Sequence, residues 1–407
     1  MKALKIIGLV LLLLLGAAAV TAVVKRDAIA RLSTVNTLFD TDRIVDNFSN
    51  MDRAFLTRTL EAPQADDLSG ESRDLPEVLT LEGRDYDVEA LLAELDTTAL
   101  VILRDGEIIH ESYYRGTDAD DRRISWSVAK SFLSGLYGNA VQSGAVESLE
   151  DDVTVYVPEL RGTAYEGASV RNVLNMASGV RFDENYMDPD SDINRMGRII
   201  ALGGSLDDFT RGLTERAFEP GTDWSYNSMD THVAAWVLRK ATGRSIHDLW
   251  EETYGPLGFR QPPYYLTDGE GVAFALGGLN LTARDYAKFG QLFLQRGMWE
   301  GEALIPDTWV QASTRHSAPV VGDRGVGYGL QWWVPMPEQG DFFAVGIYGQ
   351  YVYIDPSTDL VIAKTAADRE FAQADEFGVH SMSKNIALMR GLRDALSEDT
   401  APVDVDQ

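Results

Sequence analysis

Two rhythms of hydrophobic and polar positions organise the chain. Leu100-Val101-Ile102-Leu103, then Asp105-Gly106, then Ile108-Ile109 reads as a β-hairpin across Ala99 to Tyr114. Asp-Gly accepts the positive φ angles that a two-residue type I′ turn demands. From Trp126 to Ser143 the rhythm turns helical, with Ala129, Phe132, Leu133, Leu136, Ala140 and Val141 on one face and Gly144 placed to cap the end. Residues 145 to 300 read as mostly helical segments broken by Gly and Pro. Strands return at Tyr328–Val334, Phe342–Gly346, Gln350–Ile354 and Leu360–Thr365, and Met382–Leu396 is an amphipathic closing helix. A hairpin, then helices, then strands and a helix predict an α/β (α+β) fold in which a helical domain is inserted into a sheet domain.

The two ends follow other rules. Lys2 and Lys5 precede an uncharged apolar run, Ile6 to Val24, which Lys25-Arg26 close. As a helix that run spans about 28 Å, close to the hydrocarbon thickness of a bilayer. Residues 1–26 therefore read as a transmembrane anchor, with a cleaved signal peptide ending near Ala17-Ala18-Ala19 as the alternative. The expected location is the cell membrane, with the rest of the chain on the periplasmic or outer side, or the periplasm if the segment is cleaved. Basic residues on both flanks leave the orientation open. Residues 27–90 read as a juxtamembrane arm with short helical patterns such as Asp42 to Leu60, 91–396 as the main domain, and 397–407 as an acidic, disordered tail.

Composition narrows the chemistry. The 407 residues carry a net charge of −27, which would repel a phosphate backbone over most of the surface, so nucleic acid is not an expected partner. The absence of cysteine excludes thiol nucleophiles, disulfides and cysteine metal sites together. The five histidines include no His-x-x-x-His or His-Glu-x-x-His, so no zinc site is expected, and no motif asks for a cofactor. No Gly-x-Ser-x-Gly elbow occurs. Nothing in the sequence fixes the oligomeric state.

What remains is a hydroxyl nucleophile. In Ser127-Val128-Ala129-Lys130 the serine and lysine are three apart and share one helix face, so the amine can reach the hydroxyl. At the first turn the serine also feels the positive field of the helix N-terminus, which favours a developing alkoxide. The motif alone is weak, and a second copy stands at Ser381-Met382-Ser383-Lys384. Downstream signals choose between them. Glu219-Pro220-Gly221 leads into Tyr226-Asn227-Ser228 and a helix over Val233–Thr242; Gly277-Gly278-Leu279-Asn280 and Gly346-Ile347-Tyr348-Gly349-Gln350 follow in order. No tyrosine motif follows Ser381, which reads as the start of the last helix.

This set of ordered blocks resembles the serine β-lactamase and penicillin-binding superfamily, nearest its class C β-lactamase, esterase and 6-aminohexanoate-dimer hydrolase branch. The likeness runs from about Ala99 to Leu396 and includes Val170 to Gly179, Gly255-Pro256-Leu257-Gly258-Phe259 and Tyr328 to Trp333. It implies an antiparallel sheet flanked by helices. It also implies that Ser127 is acylated, that Lys130 activates it, and that Tyr226 shuttles the proton between serine, leaving group and water. The resemblance further implies an oxyanion hole from the backbone N–H groups of Ser127 and Ile347, and substrate contacts from Tyr186, Ser228, Asn280, Trp333 and Gly346. For a phenol to work near neutrality, Lys130 is expected to lower the Tyr226 pKa.

Two departures from the family pattern shape the expected activity. Ser228 stands where an asparagine is common. Ile347-Tyr348-Gly349 replaces a Lys-Thr-Gly or His-x-Gly block and so removes a cation that would meet a substrate carboxylate. Lys364-Thr365-Ala366 imitates that block one strand too late, and Ser191-Asp192-Ile193 imitates a Ser-Asp-Asn motif. The expected function is hydrolysis of a small amide or ester through an acyl-enzyme. The alternatives are a membrane-tethered, non-catalytic penicillin-binding-like protein, or a β-lactamase or DD-peptidase. Loops around 180–215 and 310–325 are expected to shape the pocket.

Overall fold

The computed structural model describes residues 26–65, 68–81, 83–319, 325–373 and 380–398. The apolar run Ile6–Val24, and the tail from 399 onward, lie outside the described residues. Within the described residues no helix is long and apolar enough to cross a membrane.

A seven-stranded, wholly antiparallel sheet forms the frame. Its spatial order is Val326–Gly329, Trp332–Pro335, Phe342–Gly346, Gln350–Asp355, Leu360–Ala366, Thr97–Arg104 and Glu107–Tyr113. The Thr97–Arg104 strand is near-continuously apolar because both faces of the sheet are covered. Val101 and Leu103 enter one core with Val352, Ile354 and Val361. Leu100 and Ile102 enter the other with Tyr353, Ile362 and the closing-helix residues Leu388 and Leu392. Helix Ala283–Leu294 lies on the first face. It lies so close that a Cβ at Gly290 would meet Val361 Cγ1 at 2.5 Å and Val352 Cγ1 at 2.9 Å, so a glycine is required there.

The hairpin forms as expected, with Asp105 and Gly106 both at positive φ (52° and 81°). Other expectations need correction. Tyr328–Val334 is not one strand but a hairpin: Leu330 and Gln331 take φ values of 43° and 76° and reverse the chain between Val326–Gly329 and Trp332–Pro335. The region 145–300 is mostly helical as expected, but it also carries short strands. Tyr264–Thr267 and Leu279–Leu281 join Leu56–Thr59 and Arg123–Ile124 in a second, four-stranded antiparallel sheet. The closing helix runs from Ser381 to Glu398, so Ser397 and Glu398 are helical rather than part of a tail, and Ser397 Oγ donates to Arg393 O at 2.6 Å.

Residues 26–60 are built into the molecule. Helix Arg26–Asn36 packs on helix Asp192–Ala201, where Arg31 Nε donates to Ala201 O at 3.3 Å. Leu38, Ile44, Phe48 and Met51 are buried in the main core. Phe39 stacks on Tyr348 with ring centroids 4.9 Å apart, and Phe48 meets Trp126 edge-on at 5.5 Å. These contacts tie the arm to the residues flanking the candidate nucleophile.

Candidate active site

The helix that carries the site runs from Val128 to Gln142, with Ser127 at its N-cap position. It starts two residues later than the sequence pattern suggests because Trp126 takes a positive φ of 43°, a backbone state that cannot continue into a helix. Such strain persists only where surrounding packing imposes it. Here the Trp126 ring is fixed among Phe39, Phe48 and Tyr348. The helix is buried along almost its whole length, which puts Ser127 and Lys130 in a dry setting, 8% and 1% exposed.

Lys130 Nζ contacts three oxygens: Ser127 Oγ at 2.9 Å, Ser228 Oγ at 3.2 Å and Leu276 O at 2.7 Å. Burial pulls its pKa down to about 7, against an opposing pull from the Glu184 carboxylate. In the neutral amine, two N–H groups suit Leu276 O and Ser228 Oγ, and the lone pair is left for the Ser127 hydroxyl. Ser228 Oγ can accept from Lys130 because its own proton is donated to Glu184 Oε1 at 2.5 Å.

Tyr226 reaches the same point from the Pro220-Gly221 turn. Its phenol lies beside Ser127 on the wall of the same cavity, and its ring is boxed in by Trp224, Tyr328 and a stacked Trp333 with centroids 5.7 Å apart. Lys130 Nζ lies 5.3 Å from the ring centroid. The expectation that Lys130 depresses the Tyr226 pKa is wrong. Burial raises it, the Glu184 carboxylate raises it further, and only the Ser127 contact opposes them. A lysine that is itself half neutral near pH 7 supplies too little charge to reverse this. The phenol is therefore held protonated.

The remaining expected residues divide. Ser127, Tyr186, Trp333, Gly346 and Ile347 line a cavity of about 730 Å³ together with Tyr226. A Cβ at Gly346 would meet Ser125 O at 2.3 Å, so the strand end can close on the nucleophile turn only as glycine. Among the described residues, the N–H groups of Ser127 and Ile347 have no backbone acceptor; both sit beside positive-φ residues, Trp126 and Tyr348. Ser228 lines a second, smaller cavity at Ser127 and bridges Lys130 and Glu184. Asn280 is fully buried on its strand, pairs with Tyr264 and Ile124, and donates to Gly278 O, outside the cavity.

The imitations are structural. Ser191 caps helix Asp192–Ala201. In the second Ser-x-x-Lys copy, Ser381 Oγ donates to Asp368 Oδ2 at 2.6 Å while Lys384 pairs with Glu94, so the two do not meet. Lys364 is buried behind the cavity wall against Gly349 O, and Thr365 bonds Thr98.

Two carboxyl groups were not legible as site residues. Glu184 accepts from the Ser228 backbone N–H (3.0 Å), the Ser228 hydroxyl and the Tyr186 phenol (2.5 Å). Asp230, fully buried on helix Ser228–Thr242, accepts from Ser178 Oγ (2.6 Å) and Tyr165 (3.1 Å); burial raises its pKa to about 8. It ties the Val170–Gly179 block to the helix that follows Tyr226.

Known proteins match this arrangement. The Beta-lactamase family model matches residues 87–378. The 6-aminohexanoate-dimer hydrolase of Paenarthrobacter ureafaciens is 32% identical over 295 residues, covering 69% of this chain and 75% of that protein. Among solved structures, a Bacillus anthracis protein provisionally described as a 6-aminohexanoate-dimer hydrolase superposes with a TM-score of 0.77 at 23% identity, covering 89% of this chain and 95% of that one. A class C β-lactamase superposes with a TM-score of 0.56 at 16% identity, covering 76% and 94%. At such identities these two speak for the fold alone. The chain thus belongs to the β-lactamase family and is a serine amide or ester hydrolase similar to 6-aminohexanoate-dimer hydrolase.

Proposed function

We propose that the chain hydrolyses small linear amides and esters through an acyl-enzyme on Ser127. The observation that carries this reading is the buried Lys130 amine, its pKa drawn to about 7, placed 2.9 Å from Ser127 Oγ. A base with a pKa near the working pH is the most effective kind.

Neutral Lys130 accepts the Ser127 proton as Oγ attacks the carbonyl carbon. The developing oxyanion is met by the N–H groups of Ser127 and Ile347. Tyr226, held protonated, donates to the departing nitrogen or oxygen as its bond to carbon breaks, and the proton on Lys130 restores the phenol. Water then attacks the acyl carbon, gives its proton to the same pair of groups, and returns Ser127 to the hydroxyl form. Every proton given up is taken back within the cycle. Ser228 and Glu184 keep the amine oriented.

The substrate is expected to carry no carboxylate near the scissile bond, because the large cavity holds Glu184 and Asp223 and, among its described lining residues, no lysine or arginine. A membrane-tethered position outside the cytoplasm, suggested by the apolar run Ile6–Val24, belongs to the same proposal. A fluorophosphonate followed by intact-mass and peptide mapping tests the nucleophile: one adduct on Ser127 with loss of ester turnover supports the reading. Wild-type turnover in Ser127→Ala would overturn it.

A further inference from the structure

Two cavities, not one, meet at the nucleophile. Besides the large cavity, a second of about 340 Å³ touches Ser127 from another direction, and the two share Ser127, Tyr186 and Ile347. Tyr226 borders only the large one. Resting on the acyl-enzyme reading above, we propose that the second cavity is an acyl-chain chamber, and that the arm between residues 35 and 55 sets chain-length specificity by forming part of its wall.

The assignment of sides follows from proton delivery. A group that protonates the leaving atom has to face it, so the leaving group occupies the cavity that Tyr226 borders. The acyl substituent, on the other side of the reacting carbon, then faces the second cavity. That cavity is lined chiefly by hydrocarbon, from Leu38, Phe39, Phe55, Met196, Phe274 and Leu276, with Asn36, Asn194 and Ser228 as polar neighbours. Its one lining guanidinium, Arg198, donates to Pro189 O at 2.6 Å. An apolar cavity of about 150 Å³ accepts a benzene-sized guest, so about twice that volume suits a straight acyl chain of about eight carbons. Leu38, Phe39 and Phe55 all precede residue 87, where the family match begins. The arm therefore adds a wall from outside the matched domain.

The test measures kcat/KM of the full-length protein on p-nitrophenyl esters from acetate to dodecanoate. Burying each added methylene predicts a rise of about threefold to fourfold, up to about the octanoate and then a fall. Esters of acetic acid with progressively longer alcohols should show no such rise. Gly197 lines the chamber, and a side chain there meets nothing within 4 Å of its Cβ, so Gly197→Phe fills the space. Its octanoate-to-acetate ratio of kcat/KM should drop at least about thirtyfold, and Met196→Ala should move the optimum to longer chains. A wild-type profile that is flat, or falls from acetate onward, overturns the chamber while leaving the hydrolase intact. So does a rise with alcohol length instead. Absence of turnover on every ester, together with no label on Ser127, would sink the acyl-enzyme reading and the chamber with it.

Discussion

Lys130 Nζ stands 2.9 Å from Ser127 Oγ, with Leu276 O and Ser228 Oγ as its other two partners. This single relationship decides the division of labour. Burial moves Lys130 toward neutrality and Tyr226 away from ionisation, so the amine is suited to take a proton and the phenol to give one.

That division predicts different fates for two substrate types. An amine or alkoxide leaving group needs the Tyr226 proton, whereas p-nitrophenolate leaves without it. Tyr226→Phe should lower kcat/KM for a linear amide by about 10²- to 10⁴-fold and for a p-nitrophenyl ester by far less. Steady-state kinetics on the two substrates check it; equal losses would reassign the tyrosine to deprotonating the serine.

Glu184 raises the Lys130 pKa by favouring its ammonium form. Glu184→Gln removes the charge and keeps one acceptor oxygen for the Ser228 and Tyr186 hydroxyls, at the cost of the acceptor for the Ser228 N–H. The midpoint of the ascending limb of kcat/KM should therefore move to lower pH, and activity at pH 6 relative to pH 8 should increase. A pH series on both proteins reads this directly.

The absence of lysine and arginine from the described lining of the large cavity, with Glu184 and Asp223 facing it, disfavours substrates that carry a carboxylate beside the reacting carbonyl. A short neutral acyl ester should exceed nitrocefin in kcat/KM by at least about 100-fold. Comparable values would show that another group replaces the cation missing at Ile347.

Asp230 gives a stability prediction. Its folded pKa of about 8 lies above the ordinary 3.8, so between these values the unfolded chain ionises freely while the folded one must hold the proton. Stability is full below about pH 4 and is lost as pH rises toward 8. Asp230→Asn removes that slope. Its unfolding free energy in urea should fall less than the wild type's between pH 5 and pH 8, by a difference of at least ~1 kcal/mol.

Local spacing and order made the chemistry legible. Ser127 and Lys130 are three apart on one helix, and Tyr226 follows a Pro-Gly turn. The sheet was readable where its strands carry apolar runs, as in Thr97–Arg104 and Phe342–Gly346, and where Asp105-Gly106 marks the hairpin. Leu330-Gln331 escaped because neither residue advertises a turn, although both adopt positive φ. Glu184 escaped because it arrives from an irregular loop, 44 positions from the Ser228 it binds. The sign of the Tyr226 shift escaped because burial is a property of the assembled core. Asn280 was misread for the same reason: its strand is interior.

The most direct test of the central claim is the pH dependence of kcat/KM on a neutral ester with a non-ionisable leaving group. A single ascending limb is expected, its midpoint near pH 7 from Lys130, with a plateau above it because Tyr226 stays protonated well past pH 10. A midpoint near 10, the ordinary range for lysine, or a rate unchanged down to pH 5 would contradict it.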